Sequence, residues 1–252
     1  MPIPASPLSP VEMAARPVVP ALSAPSLILS DVGESDAFAT LPGSPRRWSG
    51  SVWLLARRDD ASPALAPGGL LGGSQAGGRL LYRLNGDAVR PLALAARVSA
   101  PLRGRGTEAA FGLDWRPVGR LPVHLLAERR QRLDGGGRSA FAAAIQGGGS
   151  VALPVAARLD AYAQAGVVGL RSRDLFADGA VRFGVPFGPV EIGGGAWGAA
   201  QPGAKRLDAG PQISLPLPVA GAKLRLAADW RFRLAGDARP ASGPALTIGA
   251  DF

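Results

Sequence analysis

His124 is the one histidine in the chain, and so the one side chain with an ordinary pKa suited to proton transfer near neutrality. It lies in Leu121-Pro-Val-His-Leu-Leu-Ala-Glu-Arg-Arg130, just past a short turn. A hairpin closing about Gly119 sets Asp114 opposite His124 and Glu108 opposite Arg130. An Asp–His pair is part of a hydrolytic triad, but no serine shares the His124 strand, and a cross-strand ion pair is the plainer reading. No catalytic residue is therefore assigned. The chain has no Cys, which removes thiolate nucleophiles, thiolate metal sites and disulfides. No His/Asp/Glu cluster has metal-ligand spacing, so no metal is expected. The glycine runs Gly135–Gly137, Gly147–Gly149 and Gly193–Gly195 are not followed by Gly-Lys-Ser/Thr, and Gly104-Arg-Gly106 lacks a third glycine. They read as turns and strand positions, and no cofactor is expected.

The other recurring chemistry is positive charge. The chain carries +9, and because residues 1–48 carry −1 (Arg16, Arg46 and Arg47 against Glu12, Asp31, Glu34 and Asp36) the remainder carries +10. A basic chain raises nucleic acid, phosphate and anionic lipid as partners. Here the charge is spread over a dozen segments instead of forming a stripe with aromatics, so nucleic acid is not expected. Arg57, Arg58, Arg103, Arg105, Arg132, Arg138, Arg171, Arg173, Lys205 and Arg239 gather in one class of connection, where guanidinium forks suit phosphate and carboxylate.

The elements that must position these groups are strands. Residues 1–48 repeat Pro, Ala and Ser without periodicity and read as a disordered arm or linker. That segment has no basic n-region, and Ser26-Leu-Ile-Leu29 is shorter than the roughly 7–15 residues of a signal core. From Trp48 onward, period-two runs predict twelve strands near 50–58, 76–84, 92–99, 107–116, 122–132, 139–147, 156–167, 175–184, 190–200, 206–215, 223–234 and 245–252. Two classes of connection alternate between them. One is short and often contains Pro, as in Asn85–Pro91, Pro117–Leu121, the segment about Pro154, Pro186–Pro189 and Pro216–Gly221. The other is basic and Gly-rich, as in Asp59–Ser74, Arg103–Gly106, Asp134–Arg138, Arg171–Asp174, Pro202–Arg206 and Gly236–Pro240.

The strands split into an apolar and a charged face. In 223–234 Leu224, Leu226, Ala228, Trp230, Phe232 and Leu234 oppose Lys223, Arg225, Asp229, Arg231 and Arg233. The charged faces together give a candidate inner lining of Arg79, Arg83, Arg97, Glu108, Asp114, Arg116, His124, Glu128, Arg130, Arg158, Asp160, Arg182, Asp208, Arg225, Asp229, Arg231 and Arg233. Hairpin geometry places Asp160 by Arg182 and Asp208 by Arg231. An excess of Arg in a lumen favours anions; the same groups can instead pair into a ladder. Aromatic residues fall toward strand ends, with Trp53, Tyr82, Trp115, Phe183 and Phe252 at one end and Phe141, Phe176, Trp230 and Phe232 at the other. That is the arrangement of interfacial girdles.

The terminal stretch Pro244-Ala-Leu-Thr-Ile-Gly-Ala-Asp-Phe252 resembles the last strand of bacterial outer-membrane β-barrels, which ends on an aromatic residue read by the barrel-assembly machinery. Trp115-Arg-Pro-Val-Gly-Arg-Leu-Pro-Val-His-Leu-Leu-Ala-Glu-Arg-Arg130 is similar to a strand-turn-strand in the barrels of exopolysaccharide-export and phage-adsorption outer-membrane proteins. The resemblance implies an all-β, antiparallel, up-and-down transmembrane barrel over 49–252. It would sit in the outer membrane against lipid and lipopolysaccharide and act without enzymatic chemistry, as a pore or surface protein for anionic solutes or polysaccharide. Export would need a signal that residues 1–48 do not show, so either the true start lies upstream, or the segment is the tail of something larger, or the membrane reading fails. Two alternatives stay open: a soluble antiparallel barrel or sandwich with the apolar faces inside, and an outer-membrane hydrolase using an outward His124 with a serine.

Overall fold

A computed structural model describes residues 47–58, 65, 71–135, 139–219 and 222–252. Residues 1–46 of the arm expected over 1–48, most of the Asp59–Ser74 connection, and Arg138 with its two preceding glycines lie outside the described residues; Trp48 already belongs to the first strand. The strands are β1 Trp48–Arg57, β2 Gln75–Arg83, β3 Leu92–Pro101, β4 Glu108–Trp115, β5 Val123–Arg132, β6 Ala140–Ala152, β7 Arg158–Val168, β8 Asp174–Phe187, β9 Val190–Gln201, β10 Ala204–Val219, β11 Ala222–Gly236 and β12 Gly243–Asp251. Each pairs antiparallel with its sequence neighbours, and β1 pairs with β12, from Ser51↔Asp251 to Arg57↔Ala245, to close the barrel. Closure leaves no open edge. This is the condition for crossing a bilayer with strands, because every backbone polar group finds its partner within the sheet.

Local chemistry sets the turns. In the β8–β9 hairpin Gly188 has φ +61° and is followed by Pro189, the pattern of a II′ turn with Gly at its first central position. In the β9–β10 hairpin Pro202 precedes Gly203 at φ +76°, which fits a type II turn. This connection is two residues, not the five expected from Pro202 to Arg206. Lys205 and Arg206 continue the strand because their side chains alternate correctly with Leu207 and Asp208. Both chain ends of the barrel and the β2–β3, β4–β5, β6–β7, β8–β9 and β10–β11 connections share one end. The β1–β2, β3–β4, β5–β6, β7–β8, β9–β10 and β11–β12 connections share the other, referred to below as the loop end.

Exposure alternates along most of the strands and points the apolar faces outward. Phe111, Trp115, Phe141, Ile145, Val181, Trp230, Phe232 and Leu246 are exposed, while Arg97, Asp114, Glu128, Arg130, Asp208 and Arg231 are buried. A soluble module requires Trp115, Trp230 and Phe232 in a packed core, and all three are on the outside, which overturns that reading. Within the described strands the outer wall carries only Arg129 and Lys205 as charged side chains, both near the loop end. Such a wall suits hydrocarbon and not water, where contiguous apolar patches of this extent are rare.

Candidate functional site: an ion-paired lumen

The inner faces bring carboxylates and guanidiniums together across strands that are not neighbours. At the loop end Asp208 of β10 binds Arg57 of β1 at 3.2 Å and Arg206 at 2.5 Å. Arg57 also donates to the carbonyls of Gly72 and Ala241 at 3.1 Å each, and Arg206 donates to the carbonyl of Leu71 at 3.1 Å. On the facing wall Arg97 of β3 reaches Glu108 at 3.0 Å and Glu128 of β5 at 2.9 Å, and Arg130 reaches Glu128 at 2.6 Å. Toward the end that carries the termini, Arg225 of β11 spans to Asp160 of β7 at 3.7 Å and to Glu191 of β9 at 3.4 Å. Asp160 also accepts from Arg158 at 2.7 Å, and Arg231 pairs with Asp229 at 2.9 Å.

His124 belongs to this lining. Its Nδ1–H donates to Asp114 Oδ1 at 2.7 Å, while Arg79 at 2.6 Å and Gln146 at 3.2 Å occupy Asp114 Oδ2. Asp114 is a junction of three strands and not a dedicated partner of His124. The hydrolase reading needed an outward His124, and the imidazole is buried inside the barrel. The contact is diagonal: β4 and β5 pair with Asp114↔Leu126 and Glu108↔Arg132, two residues beyond the register expected from a hairpin centred on Gly119. The turn takes up the difference, with Leu121 N–H donating to the Val118 carbonyl at 3.0 Å. Because the shift is even, every side chain keeps its face.

Arg116 departs from the lining. It leaves β4 and caps the same turn, Nε to the Leu121 carbonyl and Nη2 to the Gly119 carbonyl, both at 3.1 Å. Asp160 lies opposite Arg182 as expected, but Asp208 lies opposite Arg233, not Arg231, because the hairpin closes on the Val219↔Ala222 pair and carries that register unbroken to Asp208; the bulge at Leu207/Asp208 shifts only the residues beyond it. Arg83 and Arg182 are buried in the lining, and Arg233 sits half-buried at the loop end, donating to the Pro240 carbonyl.

Two of the expected girdle aromatics are inside. Trp53 shares its face with Leu55 and Arg57 and lies over Gly77 of β2, where an added Cβ would collide with the indole. Phe176 has the same parity as Asp178 and Arg182. It is buried among Leu81, Leu126 and Val168, over Gly166, with the Arg130 guanidinium carbon 5.7 Å from its ring centre. The remaining aromatics face outward. Trp48, which the expected girdle omitted, stacks on Tyr82 with ring centroids 4.6 Å apart. Trp115, Phe183 and Phe252 share that end, and Phe141, Trp230 and Phe232 lie nearer the loop end.

The lumen is occupied at its loop end by the chain itself. Leu65 packs against the apolar cluster on the β2–β8 wall, takes the Gln201 side-chain carbonyl on its N–H at 2.6 Å and offers its own carbonyl to Arg130. Inside remains a chamber of ≈ 140 Å³ whose wall holds five arginines, three carboxylates, Tyr162 and the two inward indoles, Trp53 and Trp197. Trp197, Tyr162 and the glutamines of this chamber were not singled out by residue chemistry. Parity alone could have found Trp197, because it shares a face with Glu191 six residues earlier.

Closure, an apolar outer wall and a charged interior together define a twelve-stranded β-barrel of the outer-membrane type. Neither a protein-family model nor a curated protein sequence matches the chain. Among solved structures it is similar to an outer membrane channel from Pseudomonas putida F1, at 14% identity and TM-score 0.47, over 88% of this chain and 99% of that one. It is also similar to Wzi of Escherichia coli, an outer membrane protein involved in group 1 capsule assembly and described as a carbohydrate-binding β-barrel. That match has 12% identity and TM-score 0.31, over 76% of this chain and 54% of that one. A third similarity is to a loop-deletion mutant of OmpT, an outer membrane protein of Vibrio cholerae, at 10% identity and TM-score 0.34, over 81% and 97%.

Proposed function

We propose that this protein is a narrow, solute-selective channel of the bacterial outer membrane and not an open general pore. The observation that carries the reading is the set of ion pairs joining non-neighbouring strands, Arg57–Asp208 and Arg225–Asp160 above all, together with Leu65 at the loop end. These groups subdivide a lumen that twelve strands would otherwise leave wide. The passage then admits small polar solutes. Five arginines against three carboxylates around the chamber support a preference for anions, but Arg79, Arg97, Arg206 and Arg231 are each already bound to a carboxylate, so the preference is weak.

In this reading the end with the termini faces the periplasm and the basic loops face out. Arg58, Arg103, Arg105, Arg132, Arg171, Arg173 and Arg239 then meet the phosphates of lipopolysaccharide. The strand ending at Phe252, whose backbone exchanges hydrogen bonds with Gly50 at 2.9 Å in both directions, is the signal read by the assembly machinery. Ion conductance of the full chain refolded into a planar bilayer tests the function. Small steps with weak anion selectivity are expected. Large steps with strong anion selectivity would show an open, unpaired lumen, and a soluble product that does not insert would overturn the membrane reading itself.

A further inference from the structure

The chamber has a chemistry of its own that the channel reading does not use. Its wall presents aromatic surface from two sides. Trp53 lies flat over Gly77, and Trp197 folds back over Gly195 with the Arg231 guanidinium carbon 4.1 Å from its ring centre. Each glycine is required there, because a Cβ at either position would meet indole atoms closer than side chains tolerate. Between the indoles stand Tyr162 and Asp178, the phenol donating to Asp178 Oδ2 at 2.7 Å.

The chamber arginines and carboxylates are unequal in what they leave over. Arg97, Arg206 and Arg231 are committed to Glu128, Asp208 and Asp229. By contrast, Asp178 Oδ1 and Asp208 Oδ1 are buried without a hydrogen-bond partner among the described residues, and so is one donor of the wall, Arg97 Nε. A buried polar group left bare costs free energy that a partner recovers. The unmet capacity of this chamber is therefore two acceptor oxygens against one guanidinium N–H, which a hydroxyl, both donor and acceptor, can meet. It calls for a ligand rich in O–H or N–H donors and works against a carboxylate or phosphate. A cationic ligand is opposed in turn by the five arginines of the wall.

Size narrows the choice further. A cavity of about 150 Å³ holds a single six-membered ring such as benzene, and the chamber measures ≈ 140 Å³. An indole face accepts the C–H face of a saturated ring, while amides, carboxylates and a phenol take its rim of hydroxyls. We infer that the chamber is a binding site for one neutral hexose ring, with Trp53 as the stacking platform and Asp178 as a hydroxyl acceptor. The inference rests on the channel reading in that the sugar would reach the chamber along the lumen.

Intrinsic tryptophan fluorescence of the full chain in detergent tests it, because two of the five indoles line the chamber and the other three face outward. Titration with glucose, glucuronate and glucosamine is expected to give saturable quenching by glucose. Glucuronate and glucosamine should each bind at least tenfold more weakly. Asp178→Asn and Trp53→Phe should weaken glucose binding about tenfold or more, while Trp230→Phe, on the outer wall, leaves it unchanged; cold-gel mobility confirms that each variant is folded. Tighter binding of glucuronate, or glucose affinity in Trp53→Phe and Asp178→Asn equal to that of the unsubstituted chain, would overturn the assignment. Conductance without any hexose binding would sink this inference and leave the channel standing, and saturable binding without conductance would do the reverse.

Discussion

Glu128 offers the sharpest test of whether the lumen is dry. Its Oε1 receives Arg97 at 2.9 Å and Arg130 at 2.6 Å, and all three groups are buried. Glu128→Gln keeps the shape and removes the charge, leaving two guanidiniums with Glu108 at 3.0 Å and 3.9 Å as their remaining carboxylate. With charge centres about 4 Å apart and an effective dielectric near 20, each lost pairing is worth roughly 4 kcal/mol. The repulsion already present between Arg97 and Arg130, and the hydration Glu128 recovers on unfolding, reduce the pair of losses to about 3–5 kcal/mol net. Were the lumen water-filled, the same pairs would behave as surface bridges worth up to about 1 kcal/mol. Urea unfolding of the barrel in micelles, followed by tryptophan emission and by mobility on unheated gels, measures the difference. Adding Arg97→Met to Glu128→Gln should recover part of the loss, since one unpaired cation is removed with its partner. A loss below about 1 kcal/mol would refute a desolvated ion-pair network on this wall of the lumen.

The outer wall is tested by Ile145→Arg on β6, where a charge placed toward lipid should cost about 2–4 kcal/mol near the bilayer midplane, read by unfolding in liposomes. Gly77→Ala puts a methyl group into the Trp53 indole, so it should destabilise the barrel by about 1–3 kcal/mol and shift the emission of that tryptophan. In the β2–β3 turn the Asp87 carboxylate accepts the backbone N–H groups of Val89 at 2.8 Å and Arg90 at 3.0 Å, which holds its pKa below the usual aspartate value. A depressed pKa means that its contribution is fully present above the unfolded value and is lost as pH falls through the folded one. The protection of the Val89 and Arg90 amides, exchange measured against the intrinsic rate at each pH, should therefore hold at neutral pH and fall only in acid. Loss of protection near neutrality would contradict the assignment.

Much of the architecture was legible because a period of two is hard to produce by accident over twelve segments. The expected strand at 92–99 and the observed Leu92–Pro101 differ at one end only, and every strand keeps its neighbour. What alternation cannot supply is parity where both faces are apolar: Ser51-Val-Trp-Leu-Leu-Ala56 has no polar marker in its centre, so Trp53 read as a girdle residue when it faces inward with Arg57. Phe176 was a different failure, since Asp178 two residues later marked its face as the inner one. Registers depend on where each turn closes, which moved Asp114 and Asp208 each by two positions on their partners. Contacts between non-neighbouring strands leave no periodic trace at all, so the Arg57–Asp208 and Arg225–Asp160 spans, and with them the chamber, belong to the folded barrel alone.

Those spans have a geometric cause. One wall of the lumen is lined by small side chains, Ala93, Ala95, Ala140, Ala142 and Ala144, all buried. A twelve-stranded circumference is too wide for such a wall to meet its opposite by aliphatic packing, since about eight strands are the size at which side chains just fill the interior. Arginine is among the longest side chains and carries a fork that holds carboxylates at a fixed geometry. Setting it opposite and between alanines lets the walls join through charge. Each arginine then needs a carboxylate within reach, which is why the acids of this chain sit on the same inner face and why the net charge of the interior stays modest. Between Trp53, Tyr162 and Trp197 the wall turns to indole, phenol and amide, and there the chamber remains. The space left for a ligand is thus set by the few positions where the lining changes from charged to aromatic and amide groups. Arg182, next to Tyr162 and Asp178 in that wall, is the residue whose size should control it.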